Sequence, residues 1–172
     1  MSARRRSHVL FCGLVGCLVI FAASADRPPQ VLFNATASAP VGFYWVASGR
    51  YAVGDLVAIH PPPTLAAWMA RRRYLPVNVP LLKVVVAAQG QRVCGASDGL
   101  YVDGQWLARA KRRDRWGRPL PIFSGCRAIA ADEVLIVNAA APDSLDSRYF
   151  GPVSAHGVIG RLHPIWTWAT TP

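Results

Sequence analysis

A lysine and a serine stand out in this chain because each occupies a setting unusual for its type. The 172 residues include 19 Lys+Arg, yet the only lysines are Lys83 and Lys111. Lys83 lies within Val79-Pro80-Leu81-Leu82-Lys83-Val84-Val85-Val86. Burial in such a run disfavours the ammonium form and draws its pKa down from about 10.4 by several units, so a neutral amine becomes available as a general base near pH 7. Arginine cannot do this, because its pKa stays above about 12. The same residues also fit a lysine pointing outward from an edge strand.

A lysine base needs a nucleophile, and Asn34-Ala35-Thr36-Ala37-Ser38-Ala39-Pro40-Val41-Gly42-Phe43-Tyr44 offers Ser38. Its alanine neighbours leave the hydroxyl uncrowded, and Pro40 and Gly42 bend and stiffen the backbone. Thr36 falls on the same side if the segment is extended, where its hydroxyl can serve an oxyanion beside the Ser38 amide. A polar linker fits this composition too. A third group is Asp143-Ser144-Leu145-Asp146-Ser147-Arg148-Tyr149-Phe150-Gly151-Pro152. Asp146 and Arg148 can pair on a strand or loop, and Ser144 can hydrogen-bond an amine nearby. A Ser- and Asp-rich turn would look the same.

The elements that must position these groups are mostly strands. β-branched and aromatic runs at Gly42–Ala47, Asp55–His60, Leu81–Ala88, Val134–Val137 and Val158–Leu162 alternate with turn residues. Leu100–Val102 and Gln105–Leu107 flank Asp103-Gly104, a two-residue hairpin pattern. Thr64–Arg73 instead reads as one short amphipathic helix, with Thr64 as its cap, Leu65, Trp68 and Met69 on one face and three arginines at its end. The length suits one compact domain, and 52% hydrophobic with 16% charged residues excludes a disordered chain. No 20–50 residue repeat is present.

Arg4, Arg5 and Arg6 precede the uncharged run Val9–Ala23, and Ala23-Ser24-Ala25 has the small-x-small form of a cleavage site. An apolar helix of about 15 residues spans roughly 22 Å, short of a roughly 30 Å hydrocarbon core, which favours a cleaved leader over a retained anchor. Residues 1–25 are thus a signal peptide or membrane anchor, and 26–172 form a periplasmic domain associated with the inner membrane. The net charge of +10 falls to +7 (16 basic against 9 acidic residues) without residues 1–25, and is densest there in Lys111–Arg118 and Arg71–Arg73. With Trp116 among them, an anionic membrane surface is the expected partner and nucleic acid is not. Cys94 and Cys126 can bridge in an oxidising compartment, contributing roughly 3–4 kcal/mol in the chain-entropy model. The four histidines lack metal-ligand spacing, so neither a metal nor another cofactor is expected.

Taken in order, the export segment, the Ser38 box, the strand lysine and the Ser144–Gly151 box resemble the signal peptidase I superfamily of Ser/Lys peptidases. The resemblance is strongest to its conjugative-transfer branch, the TraF-type peptidases, whose Asn-x-Thr-x-Ser-x-Pro-x-Gly-x-Tyr pattern is met by Asn34, Thr36, Ser38, Pro40, Gly42 and Tyr44. It implies an antiparallel β catalytic domain with Ser38 as nucleophile and Lys83 as general base. It further implies Thr36 and the Ser38 amide at the oxyanion, and Ser144, Asp146 and Arg148 as supports. Housekeeping signal peptidases have Pro three residues after Ser and a basic residue after Lys; here Pro40 is two after Ser38 and Val84 follows Lys83. The short chain leaves little of their large second β domain. The substrate implied is a propilin of a conjugation system, cleaved and joined end to end. A general signal peptidase acting on other preproteins and a non-catalytic periplasmic component of the conjugation apparatus are the alternatives.

Overall fold

The β-branched runs become strands, and their neighbours decide which side chains are covered. The computed structural model describes residues 30–168; the expected export segment, residues 1–25, lies outside the described residues. In chain order the strands are β1 (Val31–Asn34), β2 (Val41–Ala47), β3 (Leu56–Ile59), β4 (Leu81–Ala87), β5 (Arg92–Ala96), β6 (Gly99–Val102), β7 (Gln105–Ala108), β8 (Gly125–Ala128), β9 (Glu133–Ile136), β10 (Val153–Ser154) and β11 (Val158–Trp168). Helix α1 (Pro63–Arg71) and the helical turn α2 (Ser147–Phe150) complete a mainly β fold.

A seven-stranded antiparallel sheet runs β1-β2-β11-β3-β4-β9-β10, and a second sheet runs β7-β6-β5-β8. Val57, Ile59, Met69, Leu81, Val85 and Ile136 form the core beneath α1. Ala87, Val93, Leu100, Leu135 and Val137 form another beneath the second sheet. Strands β4 and β9 supply side chains to both cores, so the segment carrying Lys83 is anchored from two sides. Along β4 the buried residues are Leu81, Lys83, Val85 and Ala87, a period of two. β4 lies between β3 and β9, with Lys83 opposite Val57. Lys83 therefore faces inward from an interior strand, and the outward edge-strand alternative does not hold.

Three local expectations are corrected. Helix α1 starts after Pro62 with Pro63 in its first turn and no side-chain cap; Thr64 lies within that turn instead of capping it. Proline at the first helical position has no N–H to satisfy, which removes part of the need for a cap. The helix ends with Arg73 N–H on the Ala70 carbonyl and Tyr74 N–H on the Met69 carbonyl, both at 3.0 Å. This is the glycine-type C-terminal motif, yet Arg73 holds the left-handed position at φ 58°. A side chain there costs about 1 kcal/mol.

Secondly, β11 continues well past Leu162 through Pro164, with a register shift between Pro164 and Trp166 that accommodates the missing N–H. Gly42 is required opposite this strand, because a Cβ there would overlap the Trp166 carbonyl. Thirdly, the hairpin of β6 and β7 is half of a four-stranded sheet whose other two strands, β5 and β8, were not expected. These two are rich in Arg, Cys and Gly, so no apolar alternation marks them, and they are joined by a Cys94–Cys126 disulfide between directly opposed residues. The Asp103-Gly104 hairpin forms as expected, with φ of 50° and 81° at the turn.

Candidate active site

The segment after β1 turns back sharply, and Asn34 is the reason. Its side-chain amide donates to the carbonyls of Thr36, Ala39 and Pro40 at 2.9, 3.0 and 3.0 Å, while its Oδ1 accepts from the Thr36 N–H and hydroxyl. Tyr44, buried on β2, donates its hydroxyl to the Pro40 carbonyl at 2.6 Å. Thr36 and Ser38 are thus in a tight turn, not on one face of an extended strand. Their hydroxyls still lie 3.2 Å apart. The Thr36 proton is directed at Asn34 Oδ1 at 2.9 Å, so the hydroxyl must rotate before it can donate to an oxyanion.

Lys83 is 3% exposed, and its Nζ donates to Ser144 Oγ at 2.8 Å. Burial pushes its pKa from 10.5 down to about 8; the nearby Asp146 carboxylate works upward and the Arg148 guanidinium downward. Ser38, Lys83 and Ser144 line one cleft of about 1040 Å³. Among the described residues no hydrogen bond joins Ser38 to Lys83; catalytic contacts of this kind commonly close only when substrate is bound.

Beneath Ser144 lies a buried ion pair. Arg148 Nε and Nη2 each donate at 2.8 Å to the Asp146 carboxylate, and both residues are at most 2% exposed. Nη1 reaches the Arg109 carbonyl at 3.2 Å, and Nη2 also reaches the carbonyls of Ala141 and Ser144, both at 2.9 Å. Asp146 also caps α2 by accepting from the Arg148 N–H at 3.2 Å, so the pair sits at a helical turn and not on a strand. With all three guanidinium nitrogens of Arg148 engaged, this pair locks the backbone that presents Ser144.

Asn138 was not singled out by sequence reasoning, and it ties these parts together. Its amide donates to the Ser38 carbonyl at 2.5 Å and the Leu82 carbonyl at 3.0 Å. Its Oδ1 accepts from Val84 N–H at 3.0 Å, and its own N–H donates to Asp146 at 3.1 Å. The residue thus holds the backbone on both sides of Lys83 and the backbone of Ser38. The only sequence trace was a polar residue closing the apolar run Val134–Val137.

The basic run Lys111–Arg118 folds around Asp114, which accepts from Tyr74 Oη, Arg118 Nε and the N–H groups of Trp116 and Arg118 at 2.6–2.9 Å. Desolvation acts to raise the Asp114 carboxyl, but these hydrogen bonds outweigh it and hold the group well below the usual carboxylate range. Arg72 Nη1 to the Pro119 carbonyl at 2.7 Å and Arg118 Nη1 to the Arg72 carbonyl at 3.0 Å fasten this loop to the end of α1. Arg115 stacks over Trp116 at 4.1 Å. The loop forms part of the cleft wall.

The chain matches the family described as signal peptidase, peptidase S26, over residues 5–168. It is 37% identical to a probable conjugal transfer protein TraF of Sinorhizobium fredii, over 98% of this chain and 95% of that protein. A plasmid transfer protein TraF of Escherichia coli is 30% identical, with 90% of this chain and 93% of the relative covered. A conjugal transfer protein TraF of Agrobacterium fabrum is also 30% identical, over 95% and 98%. A signal peptidase I structure from Enterococcus faecalis aligns with a TM-score of 0.43 and 18% identity, over 68% of this chain and all of that one.

Proposed function

The chain belongs to the signal peptidase S26 family, and from that premise we propose that it is a serine endopeptidase that matures a conjugative pilin precursor. The observation that carries the reading is a buried lysine, drawn down to about 8, held by Ser144 in the cleft that Ser38 also lines. Neutral Lys83 takes the Ser38 proton as Oγ attacks a peptide carbonyl. The tetrahedral oxyanion is met by backbone N–H at Ser38 and, after rotation, by Thr36. Its collapse breaks the C–N bond; Lys83 returns the proton to the departing amine, leaving an ester on Ser38. Water or the amino terminus of the same pilin then displaces the ester, giving a linear or a cyclic product.

The relatives named for conjugal and plasmid transfer support the pilin precursor as substrate. A location on the outer side of the inner membrane rests on the basic-then-apolar amino terminus. A second support is the aromatic edge of the large sheet, where Phe33, Phe43, Trp45, Trp166 and Trp168 are exposed on β1, β2 and β11. Such rings suit the lipid headgroup level.

Ser38→Ala and Lys83→Ala are each expected to abolish pilin maturation, and normal maturation in either would refute the assignment. Mass spectrometry of the mature pilin separates the two resolutions of the ester, since a cyclic product is one water lighter than the linear one. Rescue of growth in cells depleted of their own signal peptidase would favour a general leader peptidase instead.

A further inference from the structure

The cleft that holds Ser38 and Lys83 is also lined by Arg73, Lys111, Arg113 and Arg115, against two acidic residues, Asp114 and Asp143. Both acids are already engaged: Asp114 by Arg118 and Asp143 by Lys111. Arg73, Arg113 and Arg115 make no ion pair among the described residues, and all three are exposed. In this loop Arg118 Nη2 is buried without a hydrogen-bond partner among the described residues. The wall is also rigid. Tyr74, Arg72 and Arg118 clamp it to the end of α1, so the backbone that carries its arginines is held in place before any ligand arrives.

Arg73 adds an independent observation. It occupies the left-handed position that ends α1, where glycine would be free of strain. A strained arginine whose side chain lines a cleft is understandable if the guanidinium is needed there.

We propose that Arg73, Arg113 and Arg115 form a receptor for a carboxylate that the substrate carries within a few residues of the cleaved bond, as an Asp or Glu side chain or as a chain terminus. The proposal rests on reading the cleft as the substrate site of a peptidase. Guanidinium groups suit a carboxylate because two parallel N–H donors match its two oxygens.

The test uses the full chain in neutral detergent and fluorescent peptides with Ala-x-Ala before the cut. One carries Glu three residues before the cut, one carries Glu three residues after it, and one ends in a free carboxylate four residues after it. A fourth has Gln and a terminal amide throughout. Binding is read on Ser38→Ala by anisotropy, and cleavage is read on the unaltered protein. At least one charged peptide is expected to bind about tenfold tighter than the neutral one, with the gain lost at high salt. Which peptide gains identifies the source of the carboxylate.

Arg73→Gln with Arg115→Gln is expected to abolish that preference while leaving affinity for the neutral peptide unchanged. Arg73→Gly should lose preference and yet raise the melting temperature by about 2–4 °C, because backbone strain is relieved. A merely structural arginine would not separate the two readouts. Equal binding of all four peptides, with the neutral one still cut, would overturn the receptor and leave the peptidase standing. Acid-dependent binding without cleavage would do the reverse. Competition by anionic phosphoglycerol detergent together with equal peptide binding would assign the arginines to lipid and also overturn the proposal.

Discussion

Lys83 Nζ donates a hydrogen bond to Ser144 Oγ at 2.8 Å across 61 residues of chain. The contact fixes the amine inside an apolar strand and gives the hydroxyl a buried partner. Because burial lowers Lys83 to about 8, activity should follow the loss of one proton. We expect kcat/KM to climb tenfold per pH unit up to about 8 and to level off above it. A pH profile flat between about 6 and 9 would remove Lys83 as the base.

The same burial sets a stability prediction. The folded pKa of about 8 lies below the ordinary 10.5, so between those values the unfolded chain binds more protons and stability rises with pH. Below about pH 8 both states are protonated and the full penalty, about 3 kcal/mol, persists. Lys83→Met removes the buried amine at the cost of about 1 kcal/mol for the Ser144 hydroxyl left without its partner. It should be inactive yet more stable than the unaltered protein at pH 7 in denaturant unfolding, and no more stable above about pH 10.5.

Asn138 acts on Ser38 through its carbonyl and on Lys83 through the backbone of Leu82 and Val84 on either side. Asn138→Ala leaves the Ser38 and Leu82 carbonyls and the Val84 N–H without their partner. A destabilisation of about 2–3 kcal/mol is expected. Steady-state kinetics should show kcat lowered about tenfold or more, since alignment of the two reacting groups is lost.

Removing one member of the Asp146–Arg148 pair leaves the other's buried charge without its counter-ion. Arg148→Met should cost about 3–5 kcal/mol by thermal unfolding. Activity should fall with it, because Arg148 also holds the Ser144 carbonyl. The variant lacking both charges, Asp146→Leu with Arg148→Met, should recover stability and not activity.

The disulfide lies in the second sheet, away from the cleft residues. Its loss in Cys94→Ser with Cys126→Ser is expected to lower stability by about 3–4 kcal/mol. At a temperature where the variant remains folded, the kcat should be close to that of the unaltered protein. A large loss of kcat would mean that the second sheet shapes the cleft.

Ser38, Lys83 and the Ser144–Arg148 segment could be read from the chain because their chemistry is local. A lysine among valines, a serine among alanines and an acid two residues from an arginine are each visible within ten residues. The hairpin at Asp103-Gly104 and most central strands were readable for the same reason, since period-two alternation and turn residues act over short distances. Asn138 was not, because its importance lies in a carbonyl 100 residues earlier in the chain. Strands β5 and β8 carry no apolar alternation and form through pairing with distant neighbours. Whether Lys83 faced inward depended on β3 and β9 flanking β4, and the strain at Arg73 emerged only when α1 ended in a left-handed residue. Residue chemistry is a property of the side chain and its near neighbours. Burial, alignment and the unmatched charge of the cleft are properties of contacts between segments far apart in the chain, and those exist only once it has folded.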